Sequence, residues 1–464
     1  MDTEMVRRSN IYTNKKYWGL SLGRTTSTLF LSALTAPFQT LFLVGMIGIP
    51  NDVYGIMGSI TTVISLIFVF ASGVLIQNVK LPWGKYRSWL YVGSISAATG
   101  LVIMFTDFGM SNGTLKYLIY GACVILVPNF FNISNSAFYA LFPILADKPE
   151  DRVAVSAMNN QIGNVISIAI RSINVPLIVG VGSLVGSQVL GYSLYSYIVI
   201  ALIVTTIFGL AHIAKPYDPG KKELKAGQEK PQVMKKSGSA KALDMVKSFF
   251  MPANLSYQLS ESFLGFASTL ITTSAGFYYL YVVKDVALFA LFNSLTAFLS
   301  LAGSFMPILF VKLFHWQAKT IILVCTFLSA VLIGISYFSV DSALTFTFLL
   351  SAYNVFFSCE RATALGYYTD CVEYSCVKGS LPTLGFQMSL ASLPGKLAST
   401  LAPTTVAFAL SAIDFNVKNV TPKAVAGIHV LMSVVPTMLL IIGAILYILN
   451  PCNRKSMNSI KLAR

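Results

Sequence analysis

Apolar runs of roughly 20 to 30 residues, separated by short polar loops, recur along the whole chain. Twelve are long enough to cross about 30 Å of hydrocarbon as α-helices. They cover 18–45, 52–78, 88–106, 115–145, 155–180 and 188–213, then 249–283, 285–312, 319–340, 343–369, 384–413 and 424–450. The stretch 214–248 breaks this rhythm. It carries Lys215, Lys221, Lys222, Lys225, Lys230, Lys235, Lys236, Lys241 and Lys247 among Pro, Gly and Ser. It reads as a solvated linker with a short amphipathic helix predicted at Ala240–Ser248. The predicted organisation is a six-helix bundle over 1–213, a basic linker over 214–248, a second six-helix bundle over 249–450 and a tail over 451–464.

Composition agrees with this pattern. Charged residues make up 11% and hydrophobic residues 55% of the chain, and mean hydropathy is +0.70. A soluble domain needs about 25% charged residues to cover its surface. The expected fold class is therefore an all-α polytopic membrane protein. The polar start, with Arg7, Arg8, Lys15 and Lys16, runs into the first apolar segment without a small-residue cleavage site, so no cleaved signal peptide is expected.

The net charge of +15 has a topological reading rather than a nucleic-acid one. The N-terminal residues, the loop 82–89, the Lys148–Arg152 loop, the linker, Lys319, Lys378 and the tail (Arg454, Lys455, Lys461, Arg464) all fall on one side. Positive loops stay in the cytosol, so both termini are expected there, in a plasma (inner) membrane protein. Two six-helix halves joined by a basic linker form the layout of the major facilitator superfamily, whose solute site lies near the midplane. The six cysteines and three histidines form no metal or disulfide pattern. No cofactor, nucleophile–base pair or phosphate loop is expected, which argues against an enzyme or a receptor.

Charged side chains inside spans are costly and mark functional sites or ion pairs. Arg24, about two turns into the first span, either snorkels to the interface or contacts a solute. Arg171 lies deep in the fifth span, and Lys396 follows Pro394-Gly395 in the eleventh. Glu360 and Arg361 are adjacent in the tenth span. Neighbours in sequence point apart on a helix, so each is expected to need a partner on another helix. Glu261 in the seventh span is a further candidate. Cations outnumber acids in this set, which favours an anionic solute.

Five motifs then occur in one order: Gly73 with Trp83-Gly84-Lys85-Tyr86-Arg87-Ser88-Trp89; Asn135 to Pro143; Asp147 to Arg152; Tyr368-Thr369-Asp370-Cys371-Val372-Glu373-Tyr374 with Lys378-Gly379; and Ser389 to Lys396. In these the chain resembles the glycoside-pentoside-hexuronide cation symporters. The resemblance implies a gate or loop role for Gly73, Trp83, Gly84, Lys85, Arg87, Arg152, Asp370, Glu373 and Tyr374. It also locates departures. The family's two helix-two acids fall on Ser65 and Val69, and no carboxylate occurs in 53–106. Its helix-one and helix-four sugar-site acids fall on Thr25 and Asn135. Tyr139 keeps an aromatic ring for stacking, Asn160 falls on the helix-five arginine position, and Lys396 keeps the helix-eleven lysine.

These readings give the expected function. The chain is a secondary transporter for a small anionic glycoside, uronide or organic acid, working by alternating access without sodium. Arg24, Thr25, Asn135, Tyr139, Asn160, Arg171, Arg361 and Lys396 are the solute-binding candidates. Glu261 and Glu360 are the coupling candidates, with coupling either to protons or absent altogether. Membrane lipid is the other partner, and a monomer is expected. The alternative is an exporter or facilitator of an amphiphilic or conjugated anion.

Overall fold

The computed structural model describes residues 15–34, 38–79, 81–110, 113–146, 149–219, 241–339, 342–379, 383–415 and 420–453. Among these, helices joined by loops make up the structure, with one isolated bridge between Leu81 and Gly84. The first helices are α1 (Lys15–Ala33), α2 (Asn51–Asn78), α3 (Arg87–Met104), α4 (Gly113–Leu145), α5 (Pro149–Val185) and α6 (Gln188–Ile213). A short amphipathic α7 (Ala242–Phe249) follows, where the linker was expected to carry one. Then come α8 (Pro252–Phe277), α9 (Val286–Gly303), α10 (Met306–Phe314), α11 (Ala318–Ser336), α12 (Ala343–Lys378), α13 (Leu384–Ser389), α14 (Leu393–Ala412), α15 (Pro422–His429) and α16 (Val435–Leu449).

Nine described segments are long and apolar enough to cross a membrane by length and composition. The three expected spans outside that group are those built on α1, α3 and α14. Two of them carry Arg24 and Lys396, whose polar neighbours dilute the apolar run. Several spans that read as continuous are broken. The eighth divides at Ser304–Phe305, and the eleventh passes through a 3-10 turn at Leu390–Ser392. The seventh and twelfth carry π-helical turns at Tyr278–Val283 and Val430–Val434. Such turns interrupt a helix without removing its backbone hydrogen bonds, which hydrocarbon requires to be satisfied.

The chain forms two compact units. The first comprises Met1–Asp151, Ile162–Met245 and Pro382–Leu390; the second comprises Arg152–Gln161, Val246–Leu381 and Ala391–Arg464. In the first, α4 packs on α2 and α3, α6 packs on α1 and α3, and α13 packs on α2 and α4. Glycine sets the α3–α4 approach: a Cβ at Gly93 would lie 2.7 Å from the backbone nitrogen of Ser134. In the second unit, α8 packs on α14 and α16, and α12 packs on α9 and α11. There a Cβ at Gly303 would lie 2.0 Å from the carbonyl oxygen of Val355. Small residues at crossings let helix backbones meet where the hydrophobic effect between helices is weak.

Side chains cap some of the helix starts that follow loops. Asp285 accepts from the backbone nitrogen of Leu288 at 2.9 Å, and Ser342 accepts from that of Thr345 at 3.3 Å. Each supplies an acceptor to a donor that the first turn leaves open.

Candidate functional site

In the first unit, Arg24 lies on the third turn of α1. Its guanidinium donates to Tyr139 on α4 at 2.8 Å and to Thr28 on its own helix. It also lies over the rings of Phe138 and Tyr139, 5.4 and 5.1 Å from their centroids. No carboxylate pairs with it among the described residues. Tyr139 and Asn135, one turn apart on α4, are half-buried among buried neighbours, so they share the open side of that helix. Thr25 is buried, and its methyl meets α5 at Gly163, where a Cβ would lie 3.2 Å away. The sequence therefore identified Arg24 and Tyr139 separately, and the fold joins them. Arg171 falls on α5, but its side chain lies outside the described residues.

In the second unit, Arg361 on α12 donates to Glu261 on α8, and Tyr447 on α16 donates to the other oxygen of Glu261. Asn160 donates to the backbone carbonyl of Arg361 at 3.3 Å. Arg361 thus has the partner on another helix that its adjacency to Glu360 predicted, and its Nε also lies 3.5 Å from Glu360 Oε2. Arg361 also lies 4.9 Å from the Phe357 ring centroid. Gly265 on α8 makes room for this cluster: a Cβ there would lie 3.4 Å from Arg361 Nη2 and 3.1 Å from the Ala398 methyl on α14.

Lys396 stands on the first turn of α14, just past the break, and is half-buried. No carboxylate pairs with it among the described residues. The helix restart at Leu393 positions it, with Pro394 setting the first turn.

The loop motifs form three anchors. A Cβ at Gly73 on α2 would lie 2.3 Å from Ser389 Oγ and 2.9 Å from the Phe386 ring, so glycine lets α13 seat on α2. Arg152 is buried and donates to Asp370 at 2.7 Å and Glu373 at 3.0 Å, both within the second unit. Tyr374 beside them accepts from Lys378 at 3.2 Å. The loop before α3 closes on Asp218, a residue that the sequence reading missed. Its carboxylate accepts from the backbone nitrogens of Lys85, Tyr86 and Arg87 at 2.9, 2.6 and 2.8 Å. Gly84 reaches this turn at φ +118°. Lys85 and Arg87 are buried, while Trp83 is exposed and meets Tyr91 edge-on. A signal for Asp218 existed: it is the first acid after Asp151, set beyond a long apolar run.

At the helix-two positions, Ser65 is half-buried and Val69 is fully buried. Nearby, Ser72 and Ser136 share a 3.0 Å hydroxyl contact. Among the described residues no group of three or more metal-ligating side chains forms. Outside the spans, Lys423 donates to Asp414 at 2.8 Å and holds its carboxyl below the ordinary carboxylate range. Both side chains are exposed, so this pair adds little to stability.

The family model described as MFS/sugar transport protein matches residues 20–454. A lactose permease from Lactobacillus delbrueckii subsp. bulgaricus is 24% identical over 346 residues, covering 71% of this chain and 52% of that protein. An isoprimeverose transporter from Lactiplantibacillus pentosus is 26% identical over 165 residues, 34% of each chain. The chain spans about half or less of the length of the curated relatives it matches. Among solved structures, a bacterial homologue of the iron transporter ferroportin in an outward-facing state aligns with a TM-score of 0.66 at 14% identity, covering 94% of this chain and 99% of that one. The major facilitator superfamily transporter FucP in its outward conformation aligns with a TM-score of 0.63 at 12% identity, covering 95% and 100%. These relatives are transporters rather than enzymes, and the solved structures share the helical membrane-transporter fold expected of the chain. With a family match running nearly end to end, and loop motifs that resemble the glycoside-pentoside-hexuronide symporters, this multi-pass membrane protein belongs to the MFS/sugar transport protein family.

Proposed function

We propose that the chain is a secondary transporter for a small anionic solute, such as a uronide, an anionic glycoside or an organic acid. It works by alternating access in a plasma (inner) membrane, as a monomer with both termini in the cytosol. One observation carries the charge of the solute. Each unit holds a cation, on a helix expected to cross the membrane, that has no carboxylate partner among the described residues: Arg24 on α1 and Lys396 on α14. A buried or half-buried cation without a counter-ion is costly unless a ligand supplies one. Relatives named as lactose permease and isoprimeverose transporter make a glycoside the natural starting scaffold, with a carboxylate added to meet the cations. On this reading Tyr139, which accepts from Arg24, stacks on a ring of the solute.

Sodium is not the coupling ion on this reading. A hard cation needs several oxygen ligands and charge compensation. Ser65 and Val69 supply one hydroxyl and one methyl pair where two carboxylates would be required. The test is uptake of a radiolabelled glucuronide and of lactose into proteoliposomes, with and without a sodium gradient. Glucuronide uptake that is indifferent to sodium is expected. Preference for lactose overturns the anionic solute, and stimulation by sodium overturns the coupling assignment.

A further inference from the structure

Two buried carboxylates share one guanidinium in the second unit. Glu261 on α8 is 3% exposed and Glu360 on α12 is fully buried. Both oxygens of Glu261 are engaged, one by Arg361 and one by the Tyr447 hydroxyl. Glu360 is held differently. Its Oε2 lies 3.5 Å from Arg361 Nε, yet neither of its oxygens accepts a hydrogen bond among the described residues. With both acids ionised, the cluster carries one excess negative charge in the protein interior. The other titratable groups facing it are Tyr257 of α8, Tyr353 and Cys359 of α12, Tyr447 of α16 and Cys325 of α11, none of them cationic. The α9 helix brings no titratable side chain, and Lys312 of α10 is exposed.

An uncompensated buried charge is strongly disfavoured, and two carboxylates at one site resist joint ionisation. A proton removes the excess. It also turns Glu360 from an acceptor-only group into a donor, with the Glu261 carboxylate as its neighbour.

We propose that the Glu261–Arg361–Glu360 cluster is a proton-binding site, with one proton held on Glu360 while Arg361 and Glu261 pair. The proton comes from water and returns to water, and no other bond changes. A coupling role rests on the transport reading above. The Arg361 side chain is 27% exposed while both acids are nearly sealed, so the guanidinium is the member that an anion can reach. An anion beside Arg361 adds negative charge next to the acids and strengthens proton binding. By reciprocity the bound proton strengthens anion binding by the same factor. The proton thus takes the place of sodium, at a location in the second unit.

The proton site is tested first without any solute. The infrared spectrum of the purified full-length protein near neutral pH is compared with those of Glu360→Gln and Glu261→Gln. The wild type is expected to show the carbonyl stretch of a buried protonated carboxyl, shifted in D2O. Glu360→Gln removes it by removing the group. Glu261→Gln also removes it, because one acid then faces one guanidinium and no excess charge remains. Absence of the band in the wild type, or its survival in either variant, overturns the proposal. Should one variant fail to fold, the other still decides.

Glucuronide uptake into proteoliposomes then tests coupling. Acceleration by an inward acid gradient in the wild type, lost in Glu360→Gln, is expected. Gradient-independent uptake with the band present overturns coupling. Absence of glucuronide uptake at any pH with the band intact overturns the transport reading and leaves the proton site standing.

Discussion

Replacing Asp218 by alanine isolates the contact that shapes the loop before α3. The carboxylate is 1% exposed and accepts three backbone N–H groups, from Lys85, Tyr86 and Arg87. Arg87 is the first residue of α3, so these donors belong to a helix start, where no intrahelical acceptor exists. The anion also sits at the positive end of the helix dipole. Alanine strips all three donors of their shared acceptor. Each buried donor left without a partner costs about 1–3 kcal/mol. Water entering the vacated space recovers part of this, leaving a net loss of about 3 kcal/mol. Asparagine keeps one acceptor oxygen and drops the charge, for a loss of roughly 1.5 kcal/mol.

The readout is local, because opening free energies differ across a structure. Hydrogen–deuterium exchange at residues 84–88 in the purified protein is expected to quicken about 100-fold in Asp218→Ala and about 10-fold in Asp218→Asn, at 1.4 kcal/mol per decade. The middle of α2 serves as the internal reference and is expected not to move. Exchange at Tyr86 and Arg87 within about threefold of wild type in the alanine variant refutes the claim that Asp218 holds the loop.

Three further outcomes follow from the same geometry. Arg152→Ala leaves Asp370 and Glu373 facing each other one turn apart, and should lower stability by about 3 kcal/mol in thermal unfolding. Adding Asp370→Asn to that variant should restore part of the loss. Gly84→Ala places a Cβ 2.5 Å from the Asp218 carbonyl oxygen at φ +118°, and should cost about 2 kcal/mol or more, read by the same unfolding assay. Lys396→Ala removes a cation with no acid partner among the described residues. It should leave the unfolding midpoint at or above that of wild type while reducing glucuronide uptake by about tenfold or more, the scale of one charge-assisted contact.

Hydropathy made the spans legible because the bilayer imposes one length on every crossing. It did not reveal where spans break. Gly303, Ser304 and Phe305 are as compatible with a continuous helix as their neighbours, and only the approach of Gly303 to the Val355 carbonyl shows why the backbone is constrained there. Intramembrane charges were legible as candidates because they are few. Their partners were not, since Glu261 and Arg361 lie 100 positions apart and a helix apolar on most faces gives no phase. The 3.5 Å approach of Arg361 to Glu360 was not predicted, because spacing rules describe where Cβ atoms point rather than where a long guanidinium reaches. Asp218 escaped because it opens a lysine-rich linker and reads there as one more solvated residue.

The distribution of acids has a mechanistic consequence. The resemblance places the symporters' two helix-two acids at Ser65 and Val69, and Val69 is fully buried. On the proposed reading, a buried valine there offers no oxygen to replace an ion's hydration shell. Buried acids occur instead on α8 and α12, tied to Arg361. A guanidinium stays charged and repels a metal cation, whereas a carboxyl beside it can still gain or lose a proton. On the proposed reading, the same arginine that repels sodium at this cluster suits it to protons. An anionic solute supplies the negative charge that such a cycle requires: proton and anion bound together leave the net charge of the moving protein unchanged. On this reading, losing acids in one unit and retaining a two-acid, one-base cluster in the other amount to a single change of coupling ion.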